Sequence, residues 1–177
     1  MLKAGEVHVW LVRLDGGTAA LRRECSHQVL RAILEKETGM RLEFAVAEKG
    51  KPYLPGAPEV RFNLARSHEL ALVGVALGVD VGVDIERLRP LPEYAAIAER
   101  FFPPSEREVS GERDFFRRWT RIEAMLKALG VGLYGAGAEL GGEWTVAGID
   151  AGESFAAAVA AAGAGLRLIV HEFGADE

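Results

Sequence analysis

Val79-Asp80-Val81-Gly82-Val83-Asp84-Ile85-Glu86 is the stretch on which the reading of this 177-residue chain turns. Its apolar residues recur at every second position, the period of a strand. Side chains two apart on a strand share a face, so Asp84 and Glu86 project together while Ile85 enters the core. Two neighbouring carboxylates repel and raise each other's pKa unless a cation lies between them. Oxygen donors of this kind, with water completing the shell, suit Mg²⁺ better than zinc. Alone, Asp-x-Glu at a strand end is more often a solvated edge than a metal site.

Upstream, β-type runs cover Arg61 to Leu64 and Leu70 to Leu77, preceded by a Gly- and Pro-rich loop from Glu48 to Pro58. Arg41 to Val46 alternates as a strand. Thr18 is placed to cap a helix with the stripe Leu21, Cys25, Val29 and Ile33, ending near Gly39. Val7 to Val12 opens the chain as a strand apolar enough to be buried on both faces. Downstream, a proline-containing link at Arg89 to Pro92 separates an N-terminal lobe, residues 1–88, from a C-terminal lobe, residues 89–177. Pro92 to Phe102 reads as a short helix stopped by Pro103-Pro104, and Ser105 is placed to cap another. Asp114 to Leu129 carries the clearest helical stripe, Phe115, Trp119, Ile122, Leu126 and Leu129, closed by Gly130 and Gly132. Strands are expected over Trp144 to Ile149, Phe155 to Ala160 and Leu166 to Phe173. The fold class is therefore α+β, with two similar lobes that each pack a helix against strands.

Composition bounds the function. With 49% hydrophobic and 27% charged residues the chain has the make-up of a globular protein with a real core. A formal charge of −5 argues against a general nucleic-acid binder, which needs a basic face. The single cysteine, Cys25, offers neither an internal disulfide nor a cysteine metal cluster. No apolar run reaches membrane-spanning length and no signal pattern opens the chain, so a cytoplasmic protein without membrane association is expected.

Glu123 and Lys127 lie four apart on the long helix, beside Trp119. As an exposed pair they would contribute only about 0.3 kcal/mol. On the shoulder of an apolar stripe, however, a third carboxylate could complete a metal site, and the lysine one turn on could hold a phosphate. Lys51, in a Gly-Lys-Pro turn, and Arg66, after a strand, could add positive charge.

Taken in order, Gly50-Lys51-Pro52, Phe62-Asn63-Leu64, Gly82-Val83-Asp84-Ile85-Glu86 and Trp119-x-x-x-Glu123-Ala124-x-x-Lys127-Ala128-x-Gly130-x-Gly132-Leu133 resemble the phosphopantetheinyl transferases of the surfactin-synthetase-activating (Sfp) type. Phe101-Phe102 followed by Glu106 fits the same pattern, and the resemblance runs from about residue 27 to residue 133. It implies a monomer of two similar lobes with coenzyme A in the cleft between them. It also implies Mg²⁺ held by Asp84, Glu86 and Glu123, with Lys127 on the pyrophosphate and Lys51 and Arg31 toward the nucleotide. The partner implied is an apo acyl or peptidyl carrier protein whose serine receives the phosphopantetheine arm, Glu123 taking the serine proton. Arg117, Arg118 and Arg121 are the basic residues expected to meet an acidic carrier. A second reading is a catalytically reduced relative that binds coenzyme A or a carrier domain without turnover. The chain departs from the family pattern twice. Ala65-Arg66-Ser67 stands where Ser-His-Ser is usual, so Arg66 is read as the phosphate ligand in place of histidine, His68 falling two positions late. Ile122 stands where a lysine precedes the helix glutamate.

Overall fold

A computed structural model of the chain describes residues 1–14, 16–47, 50–131 and 141–173. Gly132 and Leu133 of the long-helix motif lie outside the described residues. Strand β1 (Glu6–Arg13) is followed by helix α1 (Ala19–Thr38), the short strands β2 (Ala45–Val46) and β3 (Pro52–Tyr53), then β4 (Val60–Ser67), β5 (Leu70–Leu77) and β6 (Val81–Arg87). Helix α2 (Tyr94–Phe101) and a single 3-10 turn at Pro104–Glu106 lead to helix α3 (Glu112–Leu129), after which come β7 (Trp144–Gly148), β8 (Phe155–Ala162) and β9 (Arg167–Phe173). Among the described residues, no helix is long and apolar enough to cross a membrane.

This is an α+β fold of two main sheets. One has the strand order β4-β5-β1-β9, the other β6-β8-β7, and β2 pairs with β3 alone. Each main sheet takes strands from both sides of Leu88, because β6 pairs with β8 and the last strand, β9, runs parallel to β1. On one face of the first sheet, Trp10, Val12, Phe62, Val73 and Val75 pack against Leu30, Ile33 and Leu34 of α1. The opposite face meets the second sheet, where Val7, Val9, Leu70 and Leu72 join Val81, Val83, Ile85 and Val159. The order is helix, sheet, sheet, helix, with α3 outermost on the second sheet. β1 is buried on both faces because it lies inside this stack, flanked by β5 and β9.

The helix ends follow local chemistry. The Thr18 hydroxyl accepts from Leu21 N, and Gly39 closes α1 in the left-handed conformation that glycine adopts without penalty. The buried face of α1 keeps Ile33, Cys25 and Val29 of the expected stripe against the core but leaves Leu21 58% exposed and adds Ser26, Leu30 and Leu34. Ser26 is tolerated inside because its hydroxyl donates to Arg23 O and accepts from Arg66. Of the strand expected over Arg41 to Val46, only Ala45–Val46 pairs. Leu42 N and O are bound instead by Glu35 and Arg31 of α1. Ser105 falls in the 3-10 turn, and α3 begins at Glu112 behind Gly111.

Two glycines set the spacing of the layers. A methyl group at Gly74 would lie 2.7 Å from Val83 Cγ1, so its absence lets the two sheets close. At Gly82 the constraint is harder. A Cβ there would overlap the carbonyl oxygen of Ala124 and lie 2.5 Å from Ala128 N, both backbone atoms of α3. The neighbouring strand has the same character, since Ala156, Ala158 and Ala160 of β8 present only methyl groups to the helix side. The alanine-rich segment is thus the bed on which α3 lies. Gly82→Ala is expected to destabilise the protein by about 3 kcal/mol or more, because a helix backbone has to move. Gly56→Ala, where nothing lies within 4 Å, serves as the neutral control, with urea-unfolding midpoints as the measurement.

Candidate functional site

The close approach of α3 to Gly82 places the residues beside Ala124 and Ala128 over the neighbouring carboxylates of β6. Lys127 Nζ donates to Asp84 Oδ1 at 2.6 Å. Asp84 is only 5% exposed, and the other face of β6, Val81, Val83 and Ile85, is sealed in the core between the sheets. Asp84 Oδ2 and Glu123 Oε1 are buried without a hydrogen-bond partner. Buried carboxylate oxygens are nearly always satisfied, so two orphans in one place mark a site with a missing partner.

The charges agree. Burial pushes the Asp84 carboxyl above its ordinary pKa, with Lys127 opposing. Burial and then the nearby Asp84 raise Glu123, and the same two causes raise Glu86. Glu86 is also bound by Arg89 at 3.3 Å, and the Arg89 guanidinium sits over the Phe116 ring. Asp84, Glu86 and Glu123 therefore form one repelling anionic group, with Lys127 as its internal cation.

Strand β4 supports this group from the side. Asn63 Oδ1 accepts from Val83 N at 3.0 Å, and Ser67 Oγ accepts from Arg87 N at 3.0 Å. The two bonds flank Asp84 and Glu86 and join strands that belong to different sheets. The Asn63 and Ser67 side chains thus occupy backbone donors that a ladder would otherwise satisfy.

Residues of opposite parity on β4 face α1, and there a groove of about 880 Å³ opens. Arg31, Arg66 and Lys127 line it, together with Arg23 and His27. Its apolar wall includes Phe44 and Phe62, packed edge to face. Arg66 donates to Ser26 Oγ at 2.9 Å, while Arg31 lies over Phe44 and donates to Leu42 O. His68 sits instead in the β4–β5 hairpin turn with φ 53°, outside the groove lining. The structure therefore brings Arg66 to the groove in the ungapped register.

Lys51 stands apart from that lining. Its ammonium donates to Ala128 O at 2.7 Å and lies 3.7 Å from Asp80, so it caps the C-terminal end of α3. Arg118 is committed to Glu106 and Asp114. Arg117 and Arg121 line a separate depression with the 148–153 turn, and helical spacing turns them about 200° from Trp119 and Glu123. Arg23 and His27 escaped the sequence reading, although with Arg31 they form a basic row at four-residue spacing. Raised carboxyl pKa values make a stability prediction. Such groups stabilise the fold below their unfolded pKa and lose that contribution as pH rises through the folded value. Metal-free protein should therefore lose stability from this cluster on going from about pH 4 toward neutrality, and Asp84→Asn should flatten that part of the profile. Urea unfolding of both proteins across the range is the check.

A family model described as the 4′-phosphopantetheinyl transferase superfamily matches residues 80–154, from the start of β6 to the turn before β8. The chain is 31% identical over 170 residues to the 4′-phosphopantetheinyl transferase HetI of Nostoc sp., covering 75% of this chain and 72% of HetI. Over 99 residues it is 29% identical to the transferase Sfp of Bacillus subtilis, covering 52% of this chain and 43% of Sfp. Over 135 residues it is 28% identical to AcpT of Salmonella typhi, covering 72% and 65%.

Proposed function

Because the chain belongs to the 4′-phosphopantetheinyl transferase superfamily, we propose that it moves the phosphopantetheine arm of coenzyme A to a serine of a carrier protein, using the groove and carboxylate group described above. The observation that carries this reading is the juxtaposition of an anionic group with orphaned oxygens and a cation-lined groove, joined at Lys127. Coenzyme A has matching chemistry: a nucleotide with a 3′-phosphate, and a pyrophosphate that needs a counter-cation.

In this reading coenzyme A lies in the groove, with Arg66 on its 3′-phosphate, Arg31 toward the nucleotide and Lys127 on the pyrophosphate. Lys51 acts on the nucleotide end only if it leaves Ala128 O; otherwise its part is to hold the helix end that carries Lys127. Asp84, Glu86 and Glu123 would hold Mg²⁺, and the orphaned Asp84 Oδ2 and Glu123 Oε1 suit a hard cation. As they stand, no three such side chains among the described residues have metal-binding spacing, so binding entails drawing the carboxylates together. Bound there, Mg²⁺ would stabilise charge developing on the phosphate oxygens. The carrier serine oxygen attacks the β-phosphorus, the bond to the bridging oxygen breaks, and adenosine 3′,5′-bisphosphate leaves. Glu123 takes the serine proton, a role open to a carboxylate positioned beside the reacting oxygen.

The finer assignments belong to the same proposal: an Sfp-type enzyme, monomeric, of two lobes that exchange strands. Its carrier is an acyl or peptidyl carrier protein. An expressed apo-carrier incubated with coenzyme A and Mg²⁺ should gain the mass of the arm. Glu123→Gln should reduce turnover by about 100-fold or more while leaving the melting temperature at neutral pH equal or higher. Near-normal turnover in that variant removes Glu123 from both roles. Arg66→Ala should weaken coenzyme A by about 1.5–3 kcal/mol and dephospho-coenzyme A hardly at all. Equal losses for the two ligands would remove Arg66 from the 3′-phosphate.

A further inference from the structure

We infer that His27 takes up a proton when the 3′-phosphate of coenzyme A enters the groove, forming with Arg23 and Arg66 a proton-linked phosphate site. This rests on the coenzyme A reading given above.

The groove carries an imbalance of charge. Arg23 and His27 come from α1, one turn apart, and Arg66 from β4, and all three line the same groove. Ser26 ties the two elements together, donating to Arg23 O and accepting from Arg66. The other charged side chains of the lining are Arg31 and Glu24 on α1 and Lys127 on α3. Glu24 takes the Gln28 amide at 3.5 Å, and none of Arg23, His27 and Arg66 makes an ion pair with it. The protein thus sets two guanidinium groups, Arg23 and Arg66, beside His27, while Arg31 and Lys127 are paired with Glu35 and Asp84 and Glu24 is the one acidic residue of the described lining.

Such a cluster keeps the imidazole neutral. Burial, then Arg66, then Arg23, hold His27 below its ordinary pKa. A phosphate monoester reverses the balance, since a dianion beside the ring favours the imidazolium. The neutral ring offers one N–H donor, the charged ring two. By linkage, a group whose pKa rises on binding makes affinity fall as pH climbs from the free value to the bound one. A phosphate monoester completes its second ionisation near pH 6, so above about pH 6.5 its own titration interferes little. If binding raises His27 by one unit or more, affinity for coenzyme A should fall about tenfold as pH climbs through that interval. Dephospho-coenzyme A keeps the pyrophosphate and lacks the 3′-phosphate, so it carries the linkage of the carboxylate site and not that of His27.

The test is calorimetric titration of the Mg²⁺-loaded protein with each ligand, at pH 7, in two buffers of different ionisation enthalpy. For wild type, coenzyme A should take up on the order of half a proton more than dephospho-coenzyme A. His27→Gln should lose that excess and most of the pH dependence. His27→Lys, a permanent cation, should keep affinity near the low-pH wild-type value and show no uptake, which a merely structural role for His27 would not produce. His27 is solvent-accessible on α1, so both variants should melt as wild type does. The inference is overturned if His27→Gln keeps the excess uptake, or if wild type shows the same uptake with both ligands. Wild type failing to bind coenzyme A, or Arg66→Ala leaving both affinities unchanged, would overturn the groove reading itself, and the inference with it.

Discussion

Backbone-to-backbone contact between α3 and β6 is the constraint on which the rest of the molecule depends. Gly82 has no side chain, and the helix occupies the space where one would be. Ala124 and Ala128 meet the strand because their own side chains are small, and β8 continues the same surface with alanines. A helix seated this closely fixes its neighbours within narrow limits. Glu123 precedes Ala124 and Lys127 precedes Ala128, so both polar residues fall at the edge of the contact, beside Asp84. The chemistry is positioned by residues that have none.

The same packing creates an electrostatic cost that the protein's own cations offset only in part. Burial raises the pKa of all three carboxylates, Asp84 adds to the rise of Glu86 and Glu123, and Lys127 compensates only part of that. On the other side of β4, Arg23, His27 and Arg66 repel one another in turn. Functional sites commonly concentrate perturbed groups in this way. Here the two unlike clusters lie on either side of one strand, and Lys127 belongs to both: it binds Asp84 and lines the groove. A bound molecule with a metal-dependent pyrophosphate at one end and a phosphate monoester at the other would relieve both clusters together.

Much of this was legible in the sequence, for identifiable reasons. The alternation of Val81, Val83 and Ile85 with Asp84 and Glu86 survives folding because one face of β6 is sealed between the sheets. The stripe on α3 from Phe115 to Leu126 and the glycine caps of both long helices survive because they are local, whereas Leu129 at the helix end is exposed. What the local patterns leave open depends on register between distant segments. The bonds from Asn63 to Val83 N and from Ser67 to Arg87 N share a 20-residue offset that no local pattern encodes. The departure of β9 into the sheet of β1 is equally non-local. There His8 joins Glu6 and the half-buried His171, and the His171 ring stacks on Trp10. Leu21 misled because apolar character alone does not say which face of a helix meets the sheet. The sheet chose the face with Ser26, whose hydroxyl Arg66 needed.

Ile122 and Lys51 show how the chain redistributes positive charge around the groove. Ile122 is buried with Phe102, Phe115 and Leu126, on a side of α3 about 100° from Glu123. A lysine at that position would have to leave the aromatic cluster to reach the groove, and the isoleucine instead adds to the packing of α3 against α2. Lys51, expected near a nucleotide, is occupied at the helix terminus, where a cation is favourable against the partial negative charge of the last carbonyls. Neither position supplies a free cation to the groove. That charge comes instead from α1 and β4, through Arg23, Arg31 and Arg66, with His27 as the one member of the set whose charge can vary near neutral pH. With those cations on α1 and β4, α3 gives the groove Lys127 and does two things at once: it closes the core through its small and aromatic residues, and it holds Glu123 and Lys127 against β6.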